Sequence, residues 1–119
     1  MQCQDIILDT IYGERKASIC EDAKLPDYID GMADTRKNIA YIDEDTLYPK
    51  DYVKIHEVVH LKDPTLSEYQ VRLIADDYYT KTTGNPIDSA GDYMRQSLDN
   101  LFKMRLPLEE KPVRIFYIV

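Results

Sequence analysis

The chain lacks the features that mark several special classes of protein. None of its apolar runs approaches the ~20 residues needed to cross a bilayer, so we expect no membrane partner. Its first residues lack the basic, apolar and small-residue order of a signal peptide, which predicts a cytoplasmic protein. A net charge of −7 argues against nucleic-acid binding, which needs a basic surface.

Cysteine is also scarce. Cys3 and Cys20 are too few for a disulfide framework, so buried or free thiols are expected, with a single pair as the alternative. The remaining composition, with 44% hydrophobic and 31% charged residues, is typical of a globular protein. Since 119 residues suffice for a modest core, we predict a single domain over residues 1–119.

Histidine is as scarce as cysteine, and both histidines stand in one stretch, His56-Glu57-Val58-Val59-His60. Residues four apart on a helix are surface neighbours, so the two imidazoles can share a metal ion. Glu57 lies beside them and could take a proton from a water activated by that metal. The alternative is an ordinary helical turn that holds two histidines by coincidence. We favour the metal site.

The patterns along the rest of the chain predict strands followed by helices. The first twenty residues suit a β-hairpin about Gly13, with an amphipathic helix as the alternative. Leu25-Pro26-Asp27 and Gly31–Lys37 are polar and turn-like, which predicts a loop. The later predicted elements are a strand over Asn38–Ile42, a helix from Pro49 to Asp63, a helix from Thr65 to Gly84, a helix over Ile87–Met104, a linker over Pro107–Pro112 and a strand over Val113–Val119.

The helix that carries the histidines is predicted to have two different faces. Tyr52, Ile55 and Val59 form an apolar stripe that should face the core. His56, Glu57 and His60 should occupy the other side of the helix, where they would be available for chemistry.

A catalytic zinc site usually has three protein ligands, so one is missing from this stretch. The short link to the next helix predicts an antiparallel hairpin, which makes Glu68 the acid nearest to His60. Glu68 could instead complete a capping box with Thr65. The other candidate ligands are Asp76, Asp77 and Cys20; both aspartates lie ~12 Å further along the helix. The donors available to a developing oxyanion are Arg72, Tyr78, Tyr79, Tyr93 and Arg95.

Over residues 38–84 the chain resembles the zincin metallopeptidases, specifically the minimal gluzincin-like ones that include the ImmA/IrrE type. The resemblance is carried by the histidine stretch and by a following helix with Glu68, Val71, Ile74 and Ala75 in the family's order. It implies that zinc is the cofactor, that His56, His60 and Glu68 are its ligands, and that Glu57 is the general base. The chain departs from the family at Arg72, where an Asn or Asp is expected.

The resemblance implies a small α+β zincin-like domain, in which the active-site helix and the following helix pack on a short β-sheet. Its expected activity is the hydrolysis of a peptide or protein substrate, which would lie extended and add a strand to the sheet edge near Asn38–Ile42. The alternative is a catalytically silent metal-binding or regulatory protein on the same scaffold.

Overall fold

The computed structural model describes residues 1–103 and 115–118, and these residues confirm the α+β class. The predicted linker over Pro107–Pro112 lies outside the described residues, as do Met104, Val113 and Val119 at the ends of predicted elements. The described elements are β1 (Gln2–Thr10), β2 (Gly13–Ala23), β3 (Ile29–Asp34), β4 (Ile39–Asp43), α1 (Lys50–Lys62), α2 (Glu68–Thr83), α3 (Ser89–Lys103) and β5 (Ile115–Ile118).

The five strands form one mixed sheet in the order β1-β2-β4-β3-β5. Strands β1 and β2 are antiparallel and form the predicted hairpin, in which Thr10 pairs with Gly13. Gly13 has a φ of +106°, which side-chain-bearing residues rarely adopt. Strand β4 lies between β2 and β3, so the expectation of a free sheet edge at Asn38–Ile42 is wrong.

The two cysteines form a disulfide, so the expectation of free or buried thiols is wrong and the alternative of one pair is correct. The hairpin register places Cys3 directly opposite Cys20, with their Cα atoms 3.9 Å apart. The number of cysteines does not reveal which residues face each other across the hairpin. Because its sulfur is bonded to Cys3, Cys20 has no thiolate to offer a metal.

Strand β3 occupies part of the segment that was predicted to be a loop. It pairs with β4 from Gly31 opposite Ile42 to Asp34 opposite Ile39. The strand also contains the buried Asp30, whose carboxylate accepts hydrogen bonds from the backbone N–H groups of Leu47 (3.0 Å) and Tyr48 (3.0 Å). Gly31–Asp34 therefore forms part of a strand, although glycine and aspartate are typical of a loop.

Helix α1 lies on β3 and β4, and α2 packs beside it. The buried residues of α1 are Tyr52, Val53, His56, Glu57, His60 and Leu61. The prediction that the histidines and the core stripe take opposite sides is therefore wrong, because His56 and His60 share the core face with Tyr52. Ile55 and Val59 are only half-buried. Among the residues that the structure describes, no helix has both the length and the apolar content needed to span a membrane.

Candidate metal centre

Three side chains from α1 and α2 converge on one point. The Nε2 atoms of His56 and His60 are 3.1 Å apart. The Glu68 carboxylate spans both of them, with Oε1 3.1 Å from His56 Nε2 and Oε2 2.9 Å from His60 Nε2. The antiparallel hairpin of α1 and α2 thus brings Glu68 to the histidines, where the sequence predicted it.

These separations suit the ligands of a small divalent cation. Bonds of about 2.0–2.1 Å in a tetrahedral arrangement place neighbouring ligand atoms ~3.3 Å apart. Two imidazoles and a carboxylate are also a donor set that zinc accepts. His56, Glu57 and His60 by themselves form a cluster whose ligand atoms lie within 4.8 Å of one another and which could hold a metal ion.

The helix cap leaves Glu68 available for this site. The capping box at the start of α2 is formed by Ser67 and Gln70: Gln70 N–H donates to Ser67 Oγ at 3.2 Å, and Ser67 N–H donates to Gln70 Oε1 at 2.9 Å. The alternative box of Thr65 with Glu68 is therefore wrong, because the helix begins two residues later than that box requires. The two spacings are equally good capping signals in the sequence.

Burial and hydrogen bonding set the protonation states of the site. Burial lowers the pKa of His56 to about 4, so its imidazole is neutral near pH 7, as a metal ligand must be. Burial opposes ionisation of Glu68, but hydrogen bonds from His56, His60 and Arg72 outweigh it and hold its pKa well below the usual range. The neutral imidazole of His56 and the ionised carboxylate of Glu68 therefore face each other.

Glu57 is fully buried next to the histidines, and neither of its carboxyl oxygens has a hydrogen-bond partner among the described residues. This burial, followed by the charge of Glu68, raises the pKa of Glu57 well above its ordinary value. Gly31 makes room for the side chain, since a Cβ at that position would lie 2.9 Å from Glu57 Cγ. Sequence reasoning missed the role of Gly31, because a glycine in a segment predicted to be a loop does not indicate a close contact with a helix.

Arg72, one of the proposed oxyanion donors, contacts Glu68 among the three converging side chains. Its Nε donates to Glu68 Oε1 at 2.9 Å, and its Nη1 donates to the Ser89 carbonyl at 2.9 Å. The guanidinium also lies over the ring of Tyr93, 5.0 Å from its centroid. Arg72 is thus committed to holding a ligand candidate rather than to an open cleft.

The remaining sequence candidates have other roles in the structure. Asp76 accepts hydrogen bonds from Ser89 Oγ (2.6 Å) and Ala90 N–H (2.9 Å), so it caps the start of α3. Asp77 is exposed and pairs with Lys81, while exposed Arg95 pairs with Asp92. Tyr79 packs in the core, and Tyr78 lines an outer groove of α1 and α2.

No protein-family model, no curated protein and no solved structure matches the chain. The geometry of the site therefore has to carry the functional conclusion without support from relatives.

Proposed function

We propose that the protein is a zinc-dependent metallopeptidase in which His56, His60 and Glu68 hold the metal. The observation that carries the proposal is the convergence of two imidazole nitrogens and one carboxylate within 3.1 Å of one another. A zinc ion held there would supply Lewis acidity toward water and toward a peptide carbonyl.

Glu57 is the residue placed to move protons. It would accept a proton from the attacking water and pass it to the amine nitrogen of the leaving peptide. In the metal-free protein, burial and the nearby charge of Glu68 raise the pKa of Glu57 well above its ordinary value, which favours the protonated carboxyl group. A divalent cation close by favours the ionised form, so metal loading would prepare Glu57 to act as a base.

A second function is favoured by one specific observation. His56, Glu57 and His60 have no exposed surface, and the Glu68 side chain is only 20% exposed. A peptide would need access that these side chains do not have in this conformation. The burial supports a silent metal-binding or regulatory protein on the same fold.

The deciding experiment measures metal content and turnover in the same preparations. Elemental mass spectrometry of the wild type, His60→Ala and Glu68→Ala should give about one zinc per chain in the wild type, lost in His60→Ala and weakened in Glu68→Ala. Glu57→Gln should retain the zinc, because it leaves all three ligands in place.

Turnover should then be sought with a broad peptide library and mass-spectrometric detection of new termini, because a single protein substrate tests only one specificity. The peptidase proposal requires zinc-dependent cleavage by the wild type that Glu57→Gln abolishes. Zinc binding without cleavage of any library peptide would favour the silent metal-binding protein. A wild type that takes up no zinc when it is supplied would refute the peptidase and the metal-binding protein, and would leave the regulatory protein as the remaining candidate.

A further inference from the structure

The buried guanidinium of Arg72 forms a bridge between the metal centre and α3. Its side chain is 2% exposed, while that of its partner Glu68 is 20% exposed. A cation this buried is stable only with well-matched partners, and Arg72 has them on both sides: the Glu68 carboxylate and the Ser89 carbonyl. The planar guanidinium fixes the directions of both bonds, which the single ammonium of a lysine cannot do.

The far end of this bridge is itself anchored. Ser89, the first residue of α3, donates through its hydroxyl to Asp76, which also accepts the Ala90 N–H. Asp76 is one turn beyond Arg72 on α2. The carbonyl that holds Arg72 is thus tied back to the same helix, and the ring of Tyr93 covers one face of the guanidinium.

The near end of the bridge determines how Glu68 presents its oxygens. Glu68 stands in the first turn of α2 and has a flexible side chain, so its orientation is not set by the helix alone. Arg72 holds Oε1, and Oε2 then lies 2.9 Å from His60 Nε2. Partners of this kind, which orient a ligand from outside, commonly contribute about 10–100-fold to metal affinity.

We propose that Arg72 is the positioning residue of the metal centre: it orients Glu68 as the third ligand and links that ligand to α3. This inference rests on the proposed function, since it assumes that a metal binds. It also explains the departure of this chain from the gluzincin-like pattern, because the residue four after Glu68 here holds the carboxylate ligand itself.

If Arg72 acted only through its charge, its removal would change the zinc affinity in the opposite direction. A guanidinium close to a divalent cation repels it, so removal of the charge alone would strengthen zinc binding. If Arg72 orients Glu68, its removal weakens zinc binding. The direction of the change therefore separates the two roles.

The test is a double-mutant cycle on zinc affinity, with Glu68→Ala, Arg72→Met and the double variant. Zinc dissociation constants are measured by competition with a chromophoric chelator, and cobalt(II) absorption reports the ligand geometry. Lys81→Met is the matched control, since Lys81 pairs with Asp77 at the same spacing on the same helix but is exposed. We expect Arg72→Met to weaken zinc binding ~10–100-fold and Lys81→Met to leave it unchanged.

In the Glu68→Ala background, Arg72→Met should change the affinity by less than ~3-fold, because its effect passes through Glu68. Tyr93→Leu keeps both Arg72 hydrogen bonds and should give a smaller loss in the same direction, which preserves the test if Arg72→Met does not fold. Equal weakening in both backgrounds, unchanged affinity or tighter binding in Arg72→Met would overturn the inference while leaving the zinc site intact. A wild type that binds no zinc would instead refute the proposed function as well.

Discussion

Gly31 should be intolerant of even one added carbon, because α1 side chains lie directly against β3 there. A Cβ at position 31 would lie 2.8 Å from Val53 Cγ1, 2.9 Å from Glu57 Cγ and 3.1 Å from Glu57 Cδ. Real Cβ atoms almost never come within 3.0 Å of another heavy atom, so α1 or β3 must shift. Both α1 side chains are fully buried and have no free space to move into.

The size of the effect follows from the contacts. Gly31 lies in a strand without a positive φ, so alanine adds a steric cost but no backbone strain. Overpacking a core by a methyl group costs about 1–3 kcal/mol. In a chain of this size, that should lower the melting temperature of Gly31→Ala by ~4–12 °C. Calorimetry or urea denaturation of the metal-free protein measures it directly.

The control is a second substitution that relieves the clash between the new Cβ at position 31 and Glu57. Glu57→Ala removes both Glu57 carbons that the new Cβ would meet, so Gly31→Ala should cost less in that background than in the wild type. The coupling between the two positions should be at least ~0.5 kcal/mol, as for residues in direct contact. A cost below ~0.5 kcal/mol in the wild type, or an equal cost in both backgrounds, would refute this account of Gly31.

Three further predictions concern Glu57, the cap of α2 and the metal. Glu57→Met should raise the free energy of unfolding of the metal-free protein by about 1–3 kcal/mol in urea denaturation, because it removes buried oxygens that have no partner within residues 1–103 and 115–118; a destabilised variant would contradict this. Ser67→Ala should cost about 1 kcal/mol, whereas Thr65→Ala should change stability by less than ~0.5 kcal/mol, and the reverse order would place the cap at Thr65. Zinc at 100 times its dissociation constant should stabilise the wild type by about 2.7 kcal/mol in thermal unfolding, reversibly with a chelator, and should not stabilise His60→Ala; an equal shift in both would exclude His60 as a ligand.

Local signals in the sequence were enough to predict the core of the candidate site. The spacing of His56 and His60 sets their imidazoles one helical turn apart, and the short connection to α2 brings Glu68 opposite them. The hairpin about Gly13 and the α+β class also follow from short-range patterns. Each of these features depends on residues close together in the chain.

The features that sequence reasoning missed depend on contacts between distant segments. Gly31–Asp34 of strand β3 was predicted to be a loop, yet Gly31 accommodates α1. The neighbouring Asp30 accepts hydrogen bonds from backbone N–H groups of residues 47 and 48. The Cys3–Cys20 disulfide likewise depends on strand register. No local propensity encodes these partners.

The burial of the α1 polar side chains argues that they are kept for a ligand rather than for the fold. An apolar side chain fully buried at one of these positions would contribute about 1.5–3 kcal/mol, as Val53 and Leu61 do on the same helix. The polar rings of His56 and His60 contribute less than such apolar side chains would. Glu57 adds the cost of a buried carboxyl group that has no hydrogen-bond partner in the described part of the chain. A divalent cation would turn the imidazoles into ligands and give the carboxyl group a charge partner. Stability alone favours apolar residues on this face, and the presence of two histidines and a glutamate there supports the proposed metal site.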